Sequence, residues 1–262
     1  VSLRVGELTM TDLSSAQQLH RNLPVEVTRA LQTTTGAKAV LFALLAHRQH
    51  ADAAAVSAFF ASQQSFGQWV EQLQQQVQTL DQRFALPMVE LALPRLSLLE
   101  PETGKAFIVE LRRFVLLNQD ISVFEFALLK LIEQQFLAAG PVFRSHDLDK
   151  LAQPVAQLVA TLLEYGAHPP SEREDVYRQL LTPVLTPVPP MPPAAQRTLR
   201  ELDRSLRQFR YLRPDGKKRL IDLAAATIQS DGVLRLAEYE LLRVLAALLA
   251  CPLPLLSGNI ET

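Results

Sequence analysis

Residues 86–132, LPMVELALPRLSLLEPETGKAFIVELRRFVLLNQDISVFEFALLKLI, read without a gap onto residues 199–245, LRELDRSLRQFRYLRPDGKKRLIDLAAATIQSDGVLRLAEYELLRVL, at a constant offset of 113. The paired positions include Leu86/Leu199, Leu93/Leu206, Leu99/Leu212, Pro101/Pro214, Lys105/Lys218, Ile108/Ile221, Glu125/Glu238 and Leu128/Leu241, so apolar faces and punctuating prolines recur together. Apolar residues three and four apart make one face of a helix, and a proline suits a first helical turn. The first copy therefore predicts helices over 86–98, 102–117 and 122–137, and the second copy repeats them. A weaker likeness of Ala39–Phe59 to Pro154–Val176 widens the repeated unit. The expected fold is all-α: two stacked, duplicated multi-helix units over residues 1–140 and 141–262, the second interrupted by a connector at 182–193 that holds six prolines and cannot be helical.

Composition agrees with this class. The chain has 262 residues, 48% apolar and 20% charged, with few aromatics and glycines, which favours helix over sheet. A net charge of −1 argues against a nucleic-acid partner, which would select a basic excess. Cys251 is the one cysteine, so no internal disulfide can form, and it reads as an inert packing residue of a reducing compartment. The chain starts at Val1 without a charged segment leading into an apolar one, and reads as an excised part of something longer. Its longest apolar run, Leu241 to Leu256, is broken by Arg243 and two prolines, short of the roughly 20 residues that span a bilayer.

Ahead of the repeat, Thr11-Asp12 opens a helix, Pro24 suits another first turn, Gly36 punctuates before the apolar run Val40 to Leu45, and Asp52 caps a helix through Phe60. Phe66, Val70, Leu73, Val77, Leu80 and Phe84 then alternate in steps of four and three, predicting one long helix over 62–84 packed on its own domain, with a dimer seam as the alternative.

Candidate chemistry is sparse. Asn118 and Asp231 sit in paired turns, each followed seven residues later by Glu125 or Glu238, an arrangement similar to a calcium-binding helix–loop–helix frame. In that frame Asp231 and Glu238 are the candidate metal ligands, but Thr227, Gln229 and Arg235 fill the remaining positions poorly, so Asp231 and Gly232 are expected to supply turn and cap groups instead. His47 and His50, three apart with Asp52 beyond, lack a third strong ligand and read as a polar helix end. No two histidines stand four apart, which removes the HExxH helix of zinc peptidases, and neither a nucleophile elbow nor a phosphate loop occurs. No catalytic residue is assigned. Arg197, Arg200, Arg204 and Arg207 recur at steps of three, four and three opposite Leu199, Leu202, Leu206 and Phe209. This stripe is a solvated face partly paired to Glu201 and Asp203, and the candidate interaction surface of the chain.

The segments Pro87-Met-Val-Glu-Leu-Ala-Leu-Pro-Arg-Leu, Asn118-Gln-Asp-Ile-Ser-Val-Phe-Glu-Phe-Ala-Leu, Ile228-Gln-Ser-Asp-Gly-Val-Leu-Arg-Leu-Ala-Glu-Tyr-Glu-Leu-Leu and Cys251-Pro-Leu-Pro resemble the C-terminal region of bacterial HtpX-like integral-membrane zinc metallopeptidases, of the CAAX-protease type. The Asp-Gly turn with its downstream Glu is also similar to tellurite-resistance protein B-like helical domains. The peptidase resemblance implies a parent with membrane helices and a zinc-holding HExxH domain upstream, none of whose catalytic residues has a counterpart here. It implies a non-catalytic interaction or regulatory domain without a cofactor of its own. Its partners would be its own upstream peptidase domain and an anionic membrane surface, on the cytoplasmic side of a bacterial inner membrane. The alternatives are a tellurite-resistance-type metal-responsive scaffold and a free-standing hydrolase.

Overall fold

The computed structural model describes residues 22–118, 120–136 and 146–251, which fall into two compact units, 22–136 and 146–251. Among the described residues there are twelve α-helices and no strand, only one isolated bridge between His146 and Leu212, so the chain is all-α. The expected helix at Thr11-Asp12 and the expected boundary between residues 140 and 141 lie outside the described residues.

The first unit holds α1 (Val25–Ala30), α2 (Thr34–Arg48), α3 (Ala53–Phe59), α4 (Gln64–Val77), α5 (Ala85–Leu96), α6 (Pro101–Val115) and α7 (Val123–Phe136). Its centre is α2. From Ala39 to Ala46 that helix is apolar all round, and a stretch with no polar face is stable only when neighbours cover every side. Every residue from Ala39 to Ala46 is buried, against α1, α4, α5 and α6. Phe42 gathers Phe59, Phe60, Phe66, Phe107 and Phe114 at ring-centroid distances of 5.0 to 6.1 Å. Burying such a ring contributes about 2–3 kcal/mol before the edge-to-face contacts add theirs.

Two expectations for this unit are corrected. Gly36 does not punctuate; it lies inside α2, where a Cβ would come within 2.2 Å of the Ala30 carbonyl oxygen, so the glycine lets α1 and α2 touch. The expected long helix over 62–84 stops at Val77, and the chain turns through Asp81, whose side chain caps a short 3-10 turn at Gln82–Phe84. The seam itself is internal: Val70, Leu73 and Val77 are buried where α4 packs on α2. Asp52 caps α3 as expected, accepting from the Ala55 N–H at 2.8 Å.

The second unit holds α8 (Ala152–Tyr165), α9 (Arg173–Leu181), α10 (Leu199–Phe209), α11 (Pro214–Gln229) and α12 (Leu236–Leu248). Here α8 takes the central place, buried from Pro154 to Leu163 and packed by α9, α10, α11 and α12. The helices of residues 86–132 and 199–245 correspond closely: α6 and α11 start on Pro101 and Pro214, and α7 and α12 on Val123 and Leu236, each pair 113 apart. The proline connector is non-helical as expected, but not simply exposed. Leu185 and Pro189 are buried, the Tyr177 hydroxyl donates to the Pro189 carbonyl at 3.0 Å, and Arg197 Nε donates to the Pro192 carbonyl at 2.8 Å.

Candidate functional site

The paired glutamates are the most buried acids of their units, at 1% exposure each. Both stand third in their helix, where a carboxylate can reach back to a free backbone N–H and meet the positive end of the helix dipole. Glu125 Oε2 accepts from the Ser122 N–H at 2.6 Å while the Glu125 N–H donates to Ser122 Oγ at 3.3 Å. Glu238 Oε2 accepts from the Arg235 N–H at 3.2 Å.

The surroundings then diverge. In the first unit Gln49, capping the end of α2, donates from Nε2 to Glu125 Oε1 at 2.5 Å and to the Val115 carbonyl at 3.1 Å. One amide thus ties the ends of α2 and α6 to the start of α7. In the second unit the residue capping α8 is Gly166, whose Cβ, if it had one, would lie 2.7 Å from Glu238 Oε1 and 3.4 Å from Asp231 Oδ2. The tie is made by Asp231 instead: its Oδ2 accepts from the Ala167 N–H at 2.8 Å and its Oδ1 from the Val233 N–H at 2.9 Å. Gly232 completes the turn at φ 77°, in the left-handed region that glycine adopts without strain. Burial pushes the Glu238 carboxyl up to about 8; the Asp231 charge adds to this, against the Arg235 N–H bond and the Arg235 charge.

The two candidate metal ligands, Asp231 and Glu238, are therefore brought together, both against Gly166. They make a pair only, since no group of three or more His, Cys, Asp or Glu placed to hold a metal occurs among the described residues. The loop frame also fails on backbone grounds. Thr227, its first position, lies inside α11 with its hydroxyl on the Leu223 carbonyl at 2.8 Å. Two expectations attached to the chain through its resemblance are corrected accordingly. Zinc finds no ligand group, and membrane finds no helix long and apolar enough to cross one, among the described residues.

The arginine stripe divides. Arg197 is largely buried and bonds Glu164 Oε2 at 3.1 Å, beside Arg173, which reaches Glu164 Oε1 at 2.7 Å. Burial pulls the Glu164 carboxyl upward, but the hydrogen bonds and charges of Arg173 and Arg197 hold it below the usual carboxylate range. Arg204 pairs with Glu201 at 2.7 Å and Arg207 with Asp203 at 2.6 Å, while Arg200 is exposed. Exposed pairs of this kind contribute little to stability, yet they lower the charge the face can offer an anionic partner.

His47 is half-buried near the end of α2, where burial, then the charges of Arg48 and His50, push its pKa down. One polar contact was not foreseen from sequence: His168 Nε2 lies 2.7 Å from Ser230 Oγ, which donates to the Thr227 carbonyl at 2.6 Å. With its proton on a carbonyl, Ser230 accepts from the imidazole N–H, so the pair closes the end of α11 and is not arranged for nucleophilic attack. No family model matches the chain, and no curated protein or solved structure matches it.

Proposed function

We propose that the chain is a non-catalytic helical module for interaction and regulation, serving a peptidase domain of the type implied by its resemblance to the C-terminal region of HtpX-like peptidases. The observation that carries this reading is the use made of the two buried glutamates. Each stands where a catalytic or ligating carboxylate would be sought, and each accepts a backbone N–H at a helix start. Asp231 likewise accepts a backbone N–H, that of Ala167, while at the end of α11 Ser230 donates to the Thr227 carbonyl and His168 bonds the Ser230 hydroxyl. Each of these groups has at least one polar atom committed to the fold.

A second reading, a tellurite-resistance-type metal-responsive scaffold, is favoured by one observation, the approach of Asp231 and Glu238 to a shared glycine. The purified chain is expected to leave casein intact and to retain no stoichiometric zinc. Chelator-sensitive casein turnover, or one tightly held zinc per chain by elemental analysis, overturns the non-catalytic reading. Sequencing upstream of residue 1 tests the attachment: an HExxH-bearing segment in frame supports it, and a start codon at residue 1 removes it.

A further inference from the structure

Six large apolar side chains are exposed among the described residues, and five of them, Leu98, Val109, Leu116, Leu117 and Ile121, lie on α6 or on the turns at its two ends. The second unit builds the corresponding helix with Asp222, Gln229 and Ser230 at the positions paired with Val109, Leu116 and Leu117, while Tyr211 and Leu234 stand for Leu98 and Ile121. The hairpin therefore forms with polar residues at those three positions, and its own folding does not explain Val109, Leu116 and Leu117. Glu102, Ala106, Val109, Arg113 and Leu116 recur at steps of four, three, four and three, all exposed, so they form one stripe along α6.

We propose that this face of α6 is a homodimer interface in which two copies of the helix pack antiparallel about a twofold axis. The pattern of the stripe selects the partner and the direction. Exposed leucines stand at both ends, Leu98 before the helix and Leu116 and Leu117 after it, with Val109 between. Antiparallel pairing brings the start of one helix to the end of the other. A single register then sets Leu117 against Leu98, Leu116 against Leu99, Val109 against Ala106, and Arg113 against Glu102, each contact made twice. Parallel pairing would set Arg113 on Arg113 and Glu102 on Glu102, a like-charge arrangement that opposes association. In the antiparallel register Glu102 keeps its own Lys105 at 2.8 Å and gains the opposite charge from its neighbour. A single pair of 15-residue helices is a small interface, so the dimer is concentration-dependent, with a Kd of roughly micromolar order.

The inference goes beyond the interaction-module reading and is tested separately from it, by sedimentation equilibrium of the full chain from ~1 to ~500 μM. The expected result is a reversible monomer–dimer equilibrium that Val109→Glu with Leu117→Glu abolishes, with the helical circular dichroism unchanged because both positions are exposed. Arg113→Glu alone and Glu102→Arg alone each raise Kd at least about tenfold, and the two together restore it to within about threefold, because the swap recreates opposite charges in the same register. A chain monomeric throughout, whether the face is covered within the chain or taken up by anionic vesicles, overturns the proposal. So does a dimer indifferent to Val109→Glu with Leu117→Glu, or a charge swap that fails to restore association.

Discussion

Glu125 meets an amide where Glu238 meets a glycine, and the two helical units differ in how they hold an acid inside because of that one exchange. In residues 22–136 the carboxylate accepts from Ser122 N–H and Gln49 Nε2, two donors on different segments. In residues 146–251 it has the Arg235 N–H, a glycine too close for any side chain, and a second acid nearby. The comparison teaches that a buried acid at a helix start is tolerated through its neighbours' donors rather than through its own position. At Glu238, burial and then the Asp231 charge hold the proton on the carboxyl.

The largest effect that can break the comparison is a pH dependence. The Glu238 carboxyl rises to about 8 from an ordinary 4.5, so between those values the folded chain holds a proton that the unfolded chain releases. Its contribution to stability is complete below about 4.5 and is lost as pH rises through about 8, at about 1.4 kcal/mol for each pH unit between those two values. Glu238→Gln keeps an oxygen for the Arg235 N–H and carries no charge to desolvate. Denaturant melts are expected to show the variant matching the parent near pH 5 and exceeding it by a few kcal/mol at pH 9. Other titrating groups, such as Glu164 and His47, cancel in the difference. Two curves that run parallel across this range would show that Glu238 titrates normally.

Of intermediate size is the loss expected at Gln49. Gln49→Ala removes the donor to Glu125 and to the Val115 carbonyl, leaving a buried carboxylate short of a partner, which costs about 2–3 kcal/mol. The readout is the midpoint of a urea melt at neutral pH. A change below about 0.5 kcal/mol would mean that water replaces the amide and that the two glutamates are alike after all.

Calcium sharpens the comparison at its smallest scale. Both Asp231 oxygens accept backbone N–H groups and Glu238 holds its proton near neutrality, so millimolar calcium is expected to move the melting temperature by less than about 1 °C. A shift of several degrees that Glu238→Ala removes would favour the metal-responsive reading.

Periodicity and punctuation made much of the fold legible. Pro101 and Pro214 announced α6 and α11, and Ser122 followed by Glu125 spelled a helix start, because each of these signals is written within four residues. Helix ends set by packing were harder to see. The 3-4 pattern from Phe66 to Phe84 continues past the real end of α4, since an apolar residue after a turn can re-enter the same core. Gly36 looked like a break because a glycine needed for close approach is indistinguishable in sequence from one needed for a turn. At the candidate site, Asp231 and Glu238 could be named in advance, whereas Gln49 and Gly166 could not. Gln49 is 76 residues from its glutamate, and nothing local marks that meeting.

The central helices carry a further consequence, for how the molecule can be taken apart. Neither Ala39–Ala46 of α2 nor Pro154–Leu163 of α8 has a face to offer water, and both lie outside residues 86–132 and 199–245. A fragment that begins at residue 199 would leave α10 with an uncovered row of Leu199, Leu202, Leu206 and Phe209, since α8 covers that row. Any dissection has to carry α2 or α8 along.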